Sequence, residues 1–226
     1  MGEIGDRFKV LSDQVALARR VAEWLTLAAL AAKAPFRVSL SGGLTPKTLY
    51  RLLASDEFSG RFPWRRVFWY WGDERFVPYG YPDSNYRMVR ESMLAKVAVP
   101  SENGYAIPID GSPEDAATRY ERFLQEAYGG TTLDAARPLF DVTPLGLGAD
   151  GHPASLLPGE PVLEERQRWM AAVSHGRPGI RITMTYPVID SSRRAAFLVT
   201  GREKAATLRA IRAGSSEAPA SRVWSI

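Results

Sequence analysis

Two alternating periodicities constrain this chain more than any other feature. Short apolar runs such as VFWYW at 67–71 are separated by stretches whose apolar residues recur at helical spacing. A strand covered on both faces reads as an unbroken apolar run. Strands alternating with helices make an α/β domain built on a mostly parallel sheet. The length of 226 residues allows one large domain or two small ones. There is no repeat, low-complexity tract or Gly/Ser linker to divide it.

The pattern predicts a helix over 12–33, with Ser12 as its cap and Val15, Ala18, Val21, Ala22 and Leu25 on one face. A strand over 36–41 follows. Then comes a helix to about Ala54, with Thr45 as cap and Pro46 in the first position, where a missing N–H costs nothing. Further strands are predicted at 67–71, 140–147 (interrupted by Pro144), 181–186 and 195–200, with helices at 114–127 and about 202–213. Residues 78–85 and 100–113, crowded with Pro, Gly, Asp and Asn, read as surface loops.

Four strands run directly into polar or glycine-rich loops, SGGLTP, GDERF, GLGADGH and TGREK. Ligands of open parallel sheets bind outside the carboxyl ends of strands, so the chemistry belongs in these loops. Ser41-Gly42-Gly43-Leu44-Thr45 joins a strand to a helix, a ready site for phosphate. It is neither a Walker A sequence nor GxGxxG, so no nucleotide is implied. In the second loop Arg75 suits a phosphate or carboxylate and Asp73 suits a hydroxyl or base work; the alternative is an ion pair at the strand end. The third loop, 146–152, holds three glycines, Asp150 and His152, one of only two histidines. Imidazole exchanges protons near neutral pH, and Asp150 either fixes its tautomer or bonds the backbone of its own turn. His175 reads as a surface residue. Lys204 falls in a first helical turn, where the dipole disfavours a cation unless something negative faces it: a ligand phosphate or Glu203.

Composition narrows the chemistry. The chain has no cysteine, which excludes disulfides, thiolate metal sites and a cysteine nucleophile. No GxSxG elbow is present. Asp73, Asp150 and His152 lack the spacing of a metal motif, so no metal and no cofactor is expected. The net charge is 29 − 25 = +4, with the basic residues dispersed, which suits a small anionic metabolite better than nucleic acid. The N-terminal MGEIGDRFKV lacks a basic segment before an apolar core, and the longest apolar stretch, 24–32, is too short to span a bilayer. No membrane association and a cytoplasmic location are therefore expected.

Taken together, SLSGGLTPKTLY (39–50), WGDERFVPYGYPDSNYRM (71–88), LGLGADGHPASLLPG (145–159), RITMTYPVI (181–189) and FLVTGREKAATL (197–208) resemble the 6-phosphogluconolactonase family. The resemblance covers nearly the whole chain. It implies one domain over 1–226 with a Rossmann-like, mostly parallel sheet flanked by helices on both faces. It implies hydrolysis of 6-phospho-D-glucono-1,5-lactone, a small phosphorylated sugar lactone of the oxidative pentose phosphate pathway, by a monomer or small homo-oligomer. By resemblance Ser41, Gly42, Gly43 and Thr45 belong to the substrate cradle, and Arg75 and Lys204 lie near the phosphate. Asp73, Ser84, Asn85 and Asp150 lie around the sugar or in its support, and His152 is the general base. The related glucosamine-6-phosphate deaminases carry a glutamate where Leu157 stands, which favours the lactonase. A non-catalytic sugar-phosphate sensor is a further alternative, though no helix-turn-helix stretch precedes residue 36. Two departures are Pro153, where the family usually has threonine, and Pro144 within a strand.

Overall fold

The structure is a computed structural model that describes residues 8–174 and 179–223; His175 lies outside the described residues. Six helices and eight strands follow one another in these segments: α1 Gln14–Ala31, β1 Phe36–Leu40, α2 Leu44–Leu53, β2 Val67–Trp71, β3 Asp73–Arg75, α3 Asn85–Ser92, β4 Gly104–Tyr105, α4 Pro113–Tyr128, β5 Thr143–Leu145, β6 Met170–Val173, β7 Arg181–Met184, α5 Tyr186–Asp190, β8 Ala195–Phe197 and α6 Ala205–Arg212.

β1 pairs in parallel with β2, and β2 with β4, while β5 pairs in parallel with β8. A parallel bridge between Val38 and Val142, with Ser39 N–H donating to the Val142 carbonyl at 3.0 Å, joins the two ladders. The spatial order is therefore β4-β2-β1-β5-β8. The chain grows outward from β1 on one side through β2 and β4. It then returns to β1's other side with β5 and β8. That reversal puts a switch point between β1 and β5, where open α/β sheets bind their ligands. The loops after these two strands are the glycine-rich ones.

The apolar runs fill the core as expected. Val67, Trp69, Tyr70 and Trp71 of β2 are all buried, as are Phe36, Val38 and Leu40 of β1. α1 packs against α2, and α4 against β6 and β7.

Several boundaries differ from the sequence expectation. Asp13, not Ser12, caps α1, its carboxylate accepting from Ala16 N–H. α2 begins one residue before Thr45, and its cap is Gly43 at φ 102, a conformation open to glycine. Asp73–Arg75, read as loop, is a strand. With β6 and β7 it makes a separate antiparallel sheet of order β3-β7-β6. The 181–186 segment therefore runs antiparallel to its neighbours, ends at Met184, and gives way to α5. The Arg202–Lys204 segment is a 3₁₀ turn ahead of α6.

Pro144 sits inside β5 between β1 and β8. Thr143 N–H donates to the Arg194 carbonyl on the β8 side at 2.9 Å. Alternation then turns residue 144 toward β1, at the strand's last rungs. There the Ser41 hydroxyl donates to the Pro144 carbonyl in place of the Ser41 N–H, which is turned to Tyr50, while proline itself supplies no ladder donor.

Candidate active site

The first loop leaves β1 at Ser41, which is buried and fully engaged. Its hydroxyl donates to Pro144, its N–H donates to the Tyr50 hydroxyl at 3.0 Å, and its carbonyl accepts from that hydroxyl at 2.9 Å. Ser41 shapes the turn and leaves its polar groups inside. The next four N–H groups, of Gly42, Gly43, Leu44 and Thr45, have no hydrogen-bond partner among the described residues. Unsatisfied donors at a helix N-terminus carry the positive end of its dipole and form an anion site. Thr45 Oγ1 meets Thr200 Oγ1 at 2.7 Å, tying this loop to the one that follows β8.

The loop after β5 is folded tightly on itself. Gly148 N–H donates to the His152 carbonyl at 2.9 Å, and Gly151 N–H donates to the Gly148 carbonyl at 3.0 Å. Asp150 Oδ1 lies 2.5 Å from His152 Nδ1 and accepts from His152 N–H at 3.4 Å. Both readings of Asp150 hold at once: it binds the imidazole and its own turn. A carboxylate only accepts, so Nδ1 carries a proton and Nε2 is the nitrogen left to exchange one. The imidazole is 13% exposed and the carboxylate 35%. Outside support comes from α6, where Thr207 Oγ1 donates to the Ala149 carbonyl at 2.9 Å, and from Ala220 N–H, which donates to the Gly151 carbonyl at 2.9 Å.

A side chain at Gly148 has no room. A Cβ there would overlap His152 Nδ1 and approach Asp150 Oδ1 to 2.5 Å. Gly148→Ala is expected to separate the two side chains and lower kcat at least tenfold, on the scale at which small displacements cost rate. Thermal unfolding should change little, because the loop is at the surface. Activity and melting curves measured side by side check this, and an undiminished kcat contradicts it.

Asp73 and Asn85 form a third group. Asn85 Nδ2 donates to the Asp73 carbonyl at 2.9 Å and its Oδ1 at 3.3 Å. Asn85 Oδ1 lies so close to Gly42 that a Cβ on that glycine would overlap it. Asp73 Oδ2 accepts from the Ser155 hydroxyl at 2.8 Å, three residues beyond His152. This β3–α3 junction thus reaches both glycine loops.

Three candidates are placed differently from the rest. Ser84 is buried and caps α3, accepting from Arg87 N–H at 3.1 Å and donating to Glu74 Oε2 at 3.1 Å. It faces Glu74 and not the loops. Arg75 has no carboxylate partner among the described residues; its guanidinium donates to the Asp83 carbonyl at 2.5 Å, and its buried Nε has no partner. The strand-end ion pair is therefore not formed. Lys204 is half-buried with no partner among the described residues, while Glu203 turns its carboxylate back onto Gly201. Among the described residues no group of three or more His, Cys, Asp or Glu side chains is placed to hold a metal ion. Glu74, Ser155 and Thr200 were not singled out from sequence.

A family model described as "Glucosamine-6-phosphate isomerases/6-phosphogluconolactonase" matches residues 12–225. The chain belongs to this family. A 6-phosphogluconolactonase from Nostoc sp. is 36% identical over 213 residues, spanning 92% of this chain and 86% of the relative. A probable chloroplastic 6-phosphogluconolactonase 4 from Oryza sativa subsp. indica is 38% identical over 201 residues; the match takes in 86% of this chain but only 61% of that longer relative. The crystal structure of a 6-phosphogluconolactonase from Thermotoga maritima superposes with a TM-score of 0.81 at 28% identity, covering 96% of this chain and 94% of that one. The α/β architecture with its parallel sheet is thus the fold of this family. No helix among the described residues is long and apolar enough to cross a membrane.

Proposed function

We propose that this chain hydrolyses 6-phospho-D-glucono-1,5-lactone to 6-phosphogluconate, with His152 as general base. The observation that carries the reading is the pairing of two loops at the switch point. One presents four unsatisfied N–H groups, and the other presents an imidazole whose Nε2 lone pair is fixed by Asp150. The first suits a phosphate; the second suits a water attacking a carbonyl.

In this mechanism the Gly42–Thr45 turn holds the phosphate dianion, flanked by Lys204 and Arg75. Asp73 and Asn85 support the sugar subsite from beneath, while Ser41 shapes the phosphate turn from inside and Ser84 caps α3. A water oxygen bonds to the lactone C1 as His152 Nε2 takes one of its protons. The tetrahedral intermediate collapses, the bond from C1 to the ring oxygen breaks, and the imidazolium returns the proton to that oxygen. Asp150 stabilises the imidazolium between these steps. A lactone carbonyl is already electrophilic, so the route requires neither cofactor nor covalent intermediate. Leu157, buried where the deaminase resemblance calls for a glutamate, supports ester hydrolysis over aldose–ketose chemistry. In the same reading the chain works in the cytoplasm as one domain, alone or in a small homo-oligomer.

Lactone disappearance, with the spontaneous rate subtracted, tests the reading. Wild-type protein is expected to accelerate opening of the phosphorylated lactone and to release no ammonia from glucosamine 6-phosphate. A rate equal to background overturns the lactonase assignment. Release of ammonia would establish the deaminase, and a ligand that raises the melting temperature without turnover would establish a sensor.

A further inference from the structure

His152 lies on the loop after β5, and the phosphate turn lies on the loop after β1. The Val38–Val142 bridge and the Ser41 bond to the Pro144 carbonyl tie β1 to β5 where the two loops begin. A further chain of side chains joins the loops beyond those strand ends. Ser155, three residues beyond His152, is fully buried, and its hydroxyl donates to Asp73 Oδ2 at 2.8 Å. Asp73 Oδ1 accepts from Asn85 Nδ2 at 3.3 Å, and Asn85 Oδ1 presses against Gly42 in the phosphate turn. The links run His152 loop, Ser155, Asp73, Asn85, Gly42.

Ser155 is itself held firmly. Its N–H donates to Thr183 Oγ1 at 3.2 Å, and Thr183 Oγ1 donates to the Met184 carbonyl at 3.0 Å. The preceding Ala154 has φ 47, a left-handed conformation that costs a non-glycine residue energy and persists only where the surroundings demand it. That kink turns the chain from the partly buried imidazole to the fully buried hydroxyl within three residues. The backbone here is shaped to deliver Ser155 to Asp73.

We infer that Ser155 is a positioning residue for catalysis. Through Asp73 and Asn85 it sets the spacing between the His152 loop and the phosphate turn, so that anchoring the phosphate places the reacting carbonyl at the imidazole. The inference rests on the lactonase reading. It has a consequence that a merely structural serine lacks: Ser155 matters for substrates anchored by a phosphate, and far less for those that are not.

The experiment compares wild type, Ser155→Ala and Ser155→Cys on 6-phospho-D-glucono-1,5-lactone and on D-glucono-1,5-lactone, which lacks the phosphate. Cysteine keeps the side-chain shape with a larger and more weakly donating atom, and serves if the alanine variant fails to fold. For the phosphorylated lactone, kcat is expected to fall about 10- to 100-fold in Ser155→Ala, and less in Ser155→Cys, as a displacement of about 1 Å does. KM should change less than about threefold, because the unsatisfied N–H groups of the turn remain. The advantage in kcat/KM of the phosphorylated over the plain lactone should shrink by the same factor as kcat. Unchanged kcat in both variants, or an equal loss on both lactones, overturns the inference while leaving the lactonase reading intact. A wild type no faster than background sinks both.

Discussion

Replacing His152 with alanine is expected to lower kcat for lactone opening by roughly 10²–10⁴-fold, the range supplied by a positioned general base. The size follows from the geometry of one contact. Asp150 Oδ1, 2.5 Å from Nδ1, commits that nitrogen to donation and leaves Nε2 as the basic atom. No other imidazole among the described residues is available to replace it. Asp150→Asn should cost less, because an amide oxygen still holds the ring while the charge that stabilises the imidazolium is gone. Added imidazole is expected to restore part of the rate to the alanine variant, which has room for it, and none to wild type. The melting temperature should stay within a few degrees, since the ring is partly exposed and its removal opens no core cavity. An alanine variant as fast as wild type removes His152 from the mechanism.

The contact between Asp150 and His152 was legible because it is local. Two residues apart in a glycine turn, an acid and an imidazole can hardly avoid each other. The buried run VFWYW likewise announced β2 at its true bounds, since a short run of aromatic and β-branched residues suits a strand covered on both faces. Direction and long-range pairing were not legible. Residues 181–184 look like any other apolar strand, and only their partners, the charged Asp73–Arg75 and Met170–Val173, make them antiparallel. Acidic and basic residues are depleted from strands, so β3 read as loop. At Thr45-Pro46 a strong capping signal misled, because the true cap, Gly43, is marked by backbone conformation and not by a side-chain acceptor. The bond from Ser155 to Asp73 joins residues 82 apart. No local pattern carries it, although both residues lie inside motifs that were read for other reasons.

Glu74 is the clearest residue of this kind, and its replacement by glutamine is expected to destabilise the fold by about 2–4 kcal/mol, the cost of breaking a buried, charge-assisted hydrogen-bond group. Sequence offers only an acid between two other charged residues. In the structure it is 1% exposed. Its Oε1 accepts from the N–H groups of Arg75 at 2.8 Å and Asn85 at 2.6 Å, and its Oε2 from Tyr86 N–H at 2.7 Å and the Ser84 hydroxyl at 3.1 Å. The carboxylate closes the N-terminus of α3, where the dipole favours its charge. Glutamine has the same shape, but its NH₂ must face two donors on one side. Urea denaturation should report the loss, and the melting temperature should fall by roughly 4–15 °C for a chain of this size. The pH dependence has a definite sign. Burial pushes the Glu74 carboxyl above its ordinary value of 4.5, with the N–H donors pulling the other way. A carboxyl that binds its proton more tightly in the folded state stabilises most below its unfolded value, and that contribution fades as pH rises through the raised one. Glutamine does not titrate, so the stability gap between wild type and Glu74→Gln should be wider near pH 4.5 than near pH 7 by the same linkage. A gap that widens with rising pH would mean that the four donors outweigh burial, and that Glu74 holds α3 as a fully ionised cap.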